Sequence, residues 1–388
     1  MYQKTKYYSY NIGNLPEGCR QCVKGQKTVL FITGLCSLHC FYCPISDKKK
    51  DKDVIYFNEW KSFDINDLFK EIELCNSKGV GITGGDPLMK LDRVVKFIKA
   101  LKKKFGGKDG NKFHIHLYTP LNLVTKKTLV QLHKAGLDEI RFHPDLYDDK
   151  LWNRLNLGRG IDPKKNKKNK FKWKVGVEIP VIPGINNNYL KLIDYLAAGN
   201  KNNSRQSWKI DFLNLNELEI SDTNACKLVE KGFKAKDRYS YGVKGSEKLA
   251  KELLKYIDKI NKNITANKNK LNVHYCTCKL KDGVQLRNRI KRRAKNAAKE
   301  YDYIDEDGML VRGAVYYDNI DDLKQILKIL DKYNVPNKLY KFDKKQKRVL
   351  TTLTVVDKLK NELNKHGKPA IVREYPTVDC MNVETEFL

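Results

Sequence analysis

Cys36, Cys40 and Cys43 stand in the run Cys36-Ser-Leu-His-Cys40-Phe-Tyr-Cys43, a C-x3-C-x2-C spacing. Thiolates are soft ligands, and three so close together suit an iron–sulfur cluster while leaving one iron of a four-iron cube without a protein ligand. An open iron can bind substrate. A structural zinc ion would want a fourth ligand, and His39, adjacent to Cys40, is poorly placed to complete a tetrahedron. A second set is divided along the chain into Cys19-Arg-Gln-Cys22 and Cys276-Thr-Cys278. Four thiolates in two close pairs are the right number for either a zinc ion or an auxiliary iron–sulfur cluster. Cys75 and Cys226 read as small buried apolar residues, and Cys380 has no assignment.

These residues need a frame. Val29-Leu30-Phe31-Ile32 reads as a short buried strand that runs through Thr33-Gly34 into the cysteine loop. Helical and strand-like segments then alternate: helices near 65–77, 90–104, 124–135 and 187–198, strands at 79–83, 113–118, 138–143, 174–181 and 208–215. Six strands separated by helices imply parallel pairing with right-handed crossovers, hence an α/β fold of the partial (β/α)6 TIM-like barrel kind, with chemistry on the loops after the strands. From about Val284 the pattern becomes a basic helix, a hairpin about Asp307-Gly308, helices near 320–330 and 355–363 and a strand at 370–375. This predicts a C-terminal α+β domain. The expected organisation is an N-terminal extension with the C-x2-C pair at 1–24, the barrel at 25–280 and the C-terminal domain at 281–388. The paired cysteines meet only if the strand at 271–275 runs antiparallel or the N-terminal segment folds back, because strand length separates the two ends of a barrel.

The cysteine loop after the first strand, Tyr42 before its third cysteine, and Gly84-Gly85-Asp86-Pro87 after the second strand together resemble the radical S-adenosylmethionine (SAM) superfamily. The likeness covers about residues 25–220. It implies a [4Fe-4S] cluster on Cys36, Cys40 and Cys43, with the Gly84–Pro87 backbone receiving the amino group of SAM. Asp86 stands where the family has glutamate. Glu178-Ile-Pro-Val-Ile-Pro183-Gly184 is similar to the fifth-strand segment of activating enzymes of glycyl-radical proteins, the pyruvate formate-lyase activases among them. The resemblance implies reductive cleavage of SAM to a 5′-deoxyadenosyl radical that takes a hydrogen atom from substrate. It also implies an electron donor of the ferredoxin or flavodoxin type.

Strand parity supplies further candidates. In Glu139-Ile140-Arg141-Phe142-His143 the polar residues share one face, as do His114 with His116 and Asn214 with Asn216. Arg141, His143, Glu178 and Asn214 are expected beside SAM or substrate, with Val181 and Ile182 as an apolar wall for adenine; polar pairing inside the barrel is the alternative for each polar residue.

The 388 residues carry Lys+Arg 76 against Asp+Glu 46, a net charge of +30, with 41% hydrophobic residues. That apolar content excludes a disordered or fibrous chain. No stretch suits a spanning helix, so a soluble cytoplasmic protein with no membrane partner is expected. Only 14 residues are Arg, and a lysine-rich balance of this kind follows composition as readily as ligand. The segment 164–174 holds seven lysines but precedes a strand, away from the reacting end. The helix after 281 is different: it gathers Arg287, Arg289, Arg292 and Arg293 beside an apolar stripe. Arginine suits bidentate phosphate binding, which points to a polyanion surface and to tRNA or other RNA as substrate. A salt-bridged helix is the alternative for that segment. For the enzyme, the alternatives are an activase acting on a partner protein and an enzyme of small metabolites.

Overall fold

The computed structural model describes residues 1–106, 113–160, 171–198, 208–264 and 269–388. Two compact units emerge, residues 1–71 with 77–285, and residues 72–76 with 286–388. The elements up to residue 285 are β1 (Gln3–Lys4), β2 (Tyr10–Ile12), α1 (Glu17–Val23), β3 (Lys27–Phe31), β4 (Tyr56–Phe57), β5 (Trp60–Lys61), α2 (Ile65–Leu74), β6 (Gly79–Thr83), α3 (Leu91–Phe105), β7 (His114–Pro120), α4 (Lys126–Ala135), β8 (Glu139–His143), β9 (Lys174–Val181), α5 (Asn186–Ala197), β10 (Phe212–Glu217), α6 (Ala225–Glu230), α7 (Ser246–Lys262), β11 (Asn272–Cys276) and the short α8 (Cys278–Leu280).

The sheet runs β1-β2-β11-β10-β9-β8-β7-β6-β3-β4-β5. From β3 through β6 to β11 every neighbouring pair is parallel, so all their carboxyl ends open on one rim. The outward faces are dense with apolar side chains: Leu30, Val80, Ile82, Ile115, Leu117, Ile140, Phe142 and Val177 are fully buried. Each contributes about 1.5–3 kcal/mol by leaving water. The amphipathic helices cover them; α3, for example, buries Val94, Phe97, Ile98 and Leu101 at helical spacing. α4 is held at its start by a Thr125–Thr128 capping box and ends on left-handed Gly136.

The first 24 residues are no separate extension. β2 pairs antiparallel with β11, and α1 then turns into the barrel. Gly18 lies so close to the lumen side chains that a Cβ there would come within 2.4 Å of Arg141 Nη2 and 2.6 Å of His116 Nδ1. Only glycine permits that approach. Of the two conditions for the paired cysteines to meet, the second holds: β11 is parallel to β10, and the N-terminal segment folds back.

The second unit contains α9 (Arg287–Ala297), β12 (Tyr303–Ile304), β13 (Leu310–Tyr316), α10 (Ile320–Lys332), β14 (Tyr340–Asp343), β15 (Arg348–Thr351), α11 (Leu353–Leu363), β16 (Lys368–Glu374) and β17 (Asn382–Phe387). Its antiparallel sheet runs β14-β15-β13-β16-β17, with β12 on β13, and α10 and α11 bury Ile326, Leu330, Val356 and Leu363 against Val315 and Val349.

Candidate active site

At the rim, the segment after β3 and the one after β6 are joined backbone to backbone. Gly85 N–H donates to Thr33 O at 2.9 Å and Asp86 N–H to Leu35 O at 2.8 Å, which sets the chain's direction just before Cys36. A Cβ on Gly84 would meet Thr33 O at 2.4 Å; one on Gly85 would meet Leu35 O at 2.3 Å and the Cys36 Cβ at 2.8 Å. Both glycines are therefore required by the cysteine loop itself. Asp86 is fully buried. Its Oδ1 accepts from Leu88 N–H at 3.0 Å and from the Thr119 hydroxyl at 2.9 Å, which caps the turn at Pro87 and ties it to β7; Oδ2 has no partner. Burial raises its carboxyl above the usual range.

The far end of the cysteine loop is clamped by residues that motif reading missed. Asp53 accepts two hydrogen bonds from Arg93 at 2.6 and 3.0 Å, one from Thr33 at 2.9 Å, and pairs with Lys90 at 2.9 Å. Arg93 also donates to Ile32 O at 2.9 Å. The Arg93 hydrogen bonds hold the Asp53 carboxyl well below its ordinary value. The signal available in sequence was an unpaired arginine early in α3.

Within the loop the three thiols lie half-buried. Burial pushes Cys36 up to about 11, and the Cys40 thiol rises for the same reason. Neighbouring thiolates disfavour ionisation of Cys36 and Cys40 further, a cost that a positively charged metal centre offsets. Among the described residues no three His, Cys, Asp or Glu side chains converge on one point as a single ion requires; the thiolates of a cube each bond a different iron and stand further apart. The Tyr42 hydroxyl lies 3.0 Å from His143 Nε2, and His143 Nδ1 lies 2.9 Å from Glu178 O. A carbonyl only accepts, so Nδ1 carries the proton and Nε2 accepts from Tyr42. Burial lowers the His143 value, keeping the imidazole neutral. Asn224 donates to Tyr42 O at 3.1 Å, and Phe41 stacks on Phe233 with ring centroids 6.2 Å apart.

The sequence profile of the radical SAM superfamily matches residues 30–196. A Methanocaldococcus jannaschii protein, provisionally named a glycyl-radical enzyme activating enzyme, is 42% identical over 98% of this chain and 94% of its own length. The chain belongs to the radical SAM superfamily. Among solved structures it is similar to SuiB of Streptococcus suis bound to S-adenosylmethionine, at 14% identity, TM-score 0.42, covering 65% of this chain and 50% of SuiB. It is also similar to methylornithine synthase, at 16% identity, TM-score 0.34, covering 65% of this chain and 71% of that one. The chain thus spans about half the length of SuiB. Residues 308–387 match a domain of unknown function (DUF8061).

Enzymes of the radical SAM superfamily use a [4Fe-4S] cluster and SAM, and the cysteine loop fits that chemistry: three thiols close together, and glycines that allow the second loop to approach. Beneath the rim the predicted polar lumen exists, yet its groups are largely committed to one another. Arg141 is 2% exposed; it donates to Glu139 at 2.6 Å, Glu178 at 2.8 Å and the Tyr118 hydroxyl at 3.1 Å. Asn214 and Asn216 donate to the two oxygens of Glu178 at 2.9 and 3.0 Å, and Asn214 also reaches Cys19 Sγ at 3.2 Å. Burial alone would raise the Glu139 carboxyl, but Arg141 and His114 hold it down to about 2. Arg141 and Asn214 therefore belong to a sealed network lined from within by α1, while Glu178, less buried than Arg141, lies toward the rim.

Three expectations need correction. Val181 is fully buried but alternates with Glu178 and Pro180 along β9, so it faces away from the lumen and forms no adenine wall. Cys226 is exposed, whereas Cys75 is buried as expected. The arginines of α9 are engaged by protein: Arg287 binds Glu306 O at 3.0 Å and Asp307 at 3.1 Å. Arg292 donates to Cys75 O at 3.1 Å and Asn76 O at 2.7 Å, completing the end of α2. Arg293 is buried, and neither it nor Arg289 is without a partner. The Arg287–Asp307 pair is what the salt-bridged alternative expects, and the contacts of Arg292 serve a helix end, so these arginines give an RNA partner no support of their own. Of the basic run 164–174, residues 164–170 lie outside the described residues. No helix among the described residues is long and apolar enough to cross a membrane.

Proposed function

We propose that this radical SAM enzyme acts on a partner protein, as an activase that takes a hydrogen atom from a glycine of that partner. The observation that carries the reading is the 42% identity over 98% of the chain to a relative of that provisional name, since the alignment takes in both units and not the barrel alone. The RNA substrate expected from the basic helix loses its support once the arginines of α9 are accounted for.

Cys36, Cys40 and Cys43 would hold the cluster, and the Gly84–Pro87 segment would lie along the methionine part of SAM. Its N–H groups at 85 and 86 are already bonded, so carbonyl oxygens are what it can offer an ammonium group. A reduced cluster held there would supply the one electron needed for reductive cleavage of SAM, the chemistry from which hydrogen-atom abstraction would follow. The Tyr42–His143 pair steadies the loop between Cys40 and Cys43. α1 and the Arg141 network close the lumen from within, so bulk water is kept from the reacting atoms. An electron donor is required, and a ferredoxin or flavodoxin type suits the low potential.

The test is anaerobic incubation of reconstituted enzyme, dithionite and SAM with candidate glycyl-radical proteins of its host. A doublet radical signal on the partner, formed together with 5′-deoxyadenosine, is expected. If 5′-deoxyadenosine forms without any protein-borne radical, and tRNA or a small-molecule extract stimulates it instead, the activase reading is overturned.

A further inference from the structure

We propose that Cys19, Cys22 and Cys276, with His274 as fourth ligand, hold a second iron–sulfur cluster inside the barrel. The thiols come from sequence positions more than 250 apart, and the fold brings them together. Cys19 and Cys22 are one turn apart on α1, which lies in the lumen. Cys276 is on the lumen face of β11, in register with Asn216, and His274 is on the same face, in register with Asn214. Asn214 itself contacts Cys19 Sγ, so Cys19 and His274 flank one side chain. Val23, next to Cys22, packs with Cys276 and Leu280 in one buried cluster.

An independent observation points to a ligand. His274 is 1% exposed, and both its ring nitrogens are without a hydrogen-bond partner. A neutral imidazole has one donor and one acceptor, and leaving both unmet in the interior costs about 1–3 kcal/mol for each. A metal bond to one nitrogen removes most of that cost. Amide donors already reach two of the sulfurs, Asn214 to Cys19 at 3.2 Å and Gln285 to Cys276 at 3.7 Å, and N–H groups directed at sulfur are what stabilise cluster thiolates.

The choice of iron–sulfur over zinc follows from spacing. Zinc gathers its sulfurs about 4 Å apart around one point, and no three candidate side chains among the described residues do so, as is also true of the cysteines at the rim. Cys278, the fourth thiol expected from the sequence, is turned elsewhere: its N–H binds Glu217 at 2.8 Å and its sulfur lies 3.9 Å from Glu219. Carboxylates on that side oppose a thiolate.

The test is a C36A/C40A/C43A variant, expressed as the full chain, reconstituted anaerobically with iron and sulfide, and assayed for iron, sulfide and zinc. About four irons and four sulfides per chain should remain, with a reducible cluster signal. Absence of iron and sulfide, or zinc alone, overturns the proposal. In the intact background, C19A/C22A should lower iron from about eight to about four per chain, and unchanged iron overturns it as well. Should that double variant fail to fold, the triple variant, which leaves α1 intact, still decides. His274→Ala should lose the second cluster and Cys278→Ala keep it; the reverse pattern overturns the assignment of His274. None of these readouts depends on the substrate.

Discussion

The rim of the barrel and its interior both gather polar side chains, and hold them in different ways. At the rim, cysteines, a tyrosine, a histidine and an aspartate are positioned by backbone pairing and retain unmet capacity: three thiols without a counter-charge and one Asp86 oxygen without a donor. Further down the same strands, Arg141, Glu139, Glu178, Asn214 and Asn216 are tied to one another by hydrogen bonds and ion pairs, with Glu139 Oε2, Arg141 Nη2 and Asn214 Oδ1 left without a hydrogen-bond partner. What separates the two regions is charge: the interior carboxylates have Arg141 as counter-ion, whereas the rim thiols have none among the described residues and would gain one from a metal centre.

The largest effect expected from this contrast is at the rim. Cys40→Ala should abolish both the four-iron absorbance of that cluster and 5′-deoxyadenosine formation, to background in a discontinuous assay, with little change in the thermal midpoint; full activity in this variant would remove the rim from the reaction. Gly85→Ala comes next. Its methyl would press on Leu35 O and the Cys36 Cβ, displacing a ligand by some tenths of an ångström, and a loss on the order of 10²-fold in SAM cleavage is expected.

In the interior the same kind of change should act on stability. Arg141→Leu leaves Glu139 and Glu178 facing each other unpaired, at a cost of about 3–5 kcal/mol in denaturant unfolding. Adding Glu139→Gln should restore part of it. The acid limb reports the same network: the Glu139 carboxyl, about 2 in the fold against an ordinary 4.5, is stabilising above pH 4.5 and loses that contribution as pH falls from there through about 2. Glu139→Gln should flatten this limb; if the limb is unchanged, the network is not what acid disrupts.

The placement of both regions was partly legible in sequence, through alternation. Glu139, Arg141 and His143 share a face because strands repeat every two residues, and the strand at 174–181 was readable to its ends. Val181 was misassigned because its side-chain type was weighed above its parity. α1 is hard to read because a helix that enters a polar lumen buries Gly18, Cys19 and Gln21 along with Val23, a mixed set with no long apolar stripe. The strands β1 and β2 are too short and polar to announce themselves. α7 does carry a legible stripe, Leu249, Leu253, Leu254 and Ile257. The arginines of α9 could be counted, but no count shows the carbonyls that receive them.

Lys27 separates the two regions by pH. It sits at the start of β3, 2.7 Å from His114 Nδ1 and 2.8 Å from His114 O, and burial lowers its amine to about 7. Between pH 7 and the ordinary 10.5 the unfolded chain binds a proton that the fold does not, so stability should rise with pH across that window, by an amount on the order of a few kcal/mol, and level off below it. Lys27→Met should abolish the slope and leave SAM cleavage intact.

The smallest expected effect tests the helix that drew attention for its charge. If Arg292 serves the end of α2 through the carbonyls of Cys75 and Asn76, Arg292→Ala should cost about 1–2 kcal/mol in unfolding and leave any retention on tRNA unchanged at every salt concentration. A polyanion contact predicts the converse: unchanged stability, and a shallower dependence of binding on salt by about one counterion. Arg292 uses its Nε–H and one Nη2–H on these carbonyls, so a stability loss with tRNA retention unchanged assigns the side chain to the helix end, and a loss of both would show that its remaining N–H donors also reach phosphate.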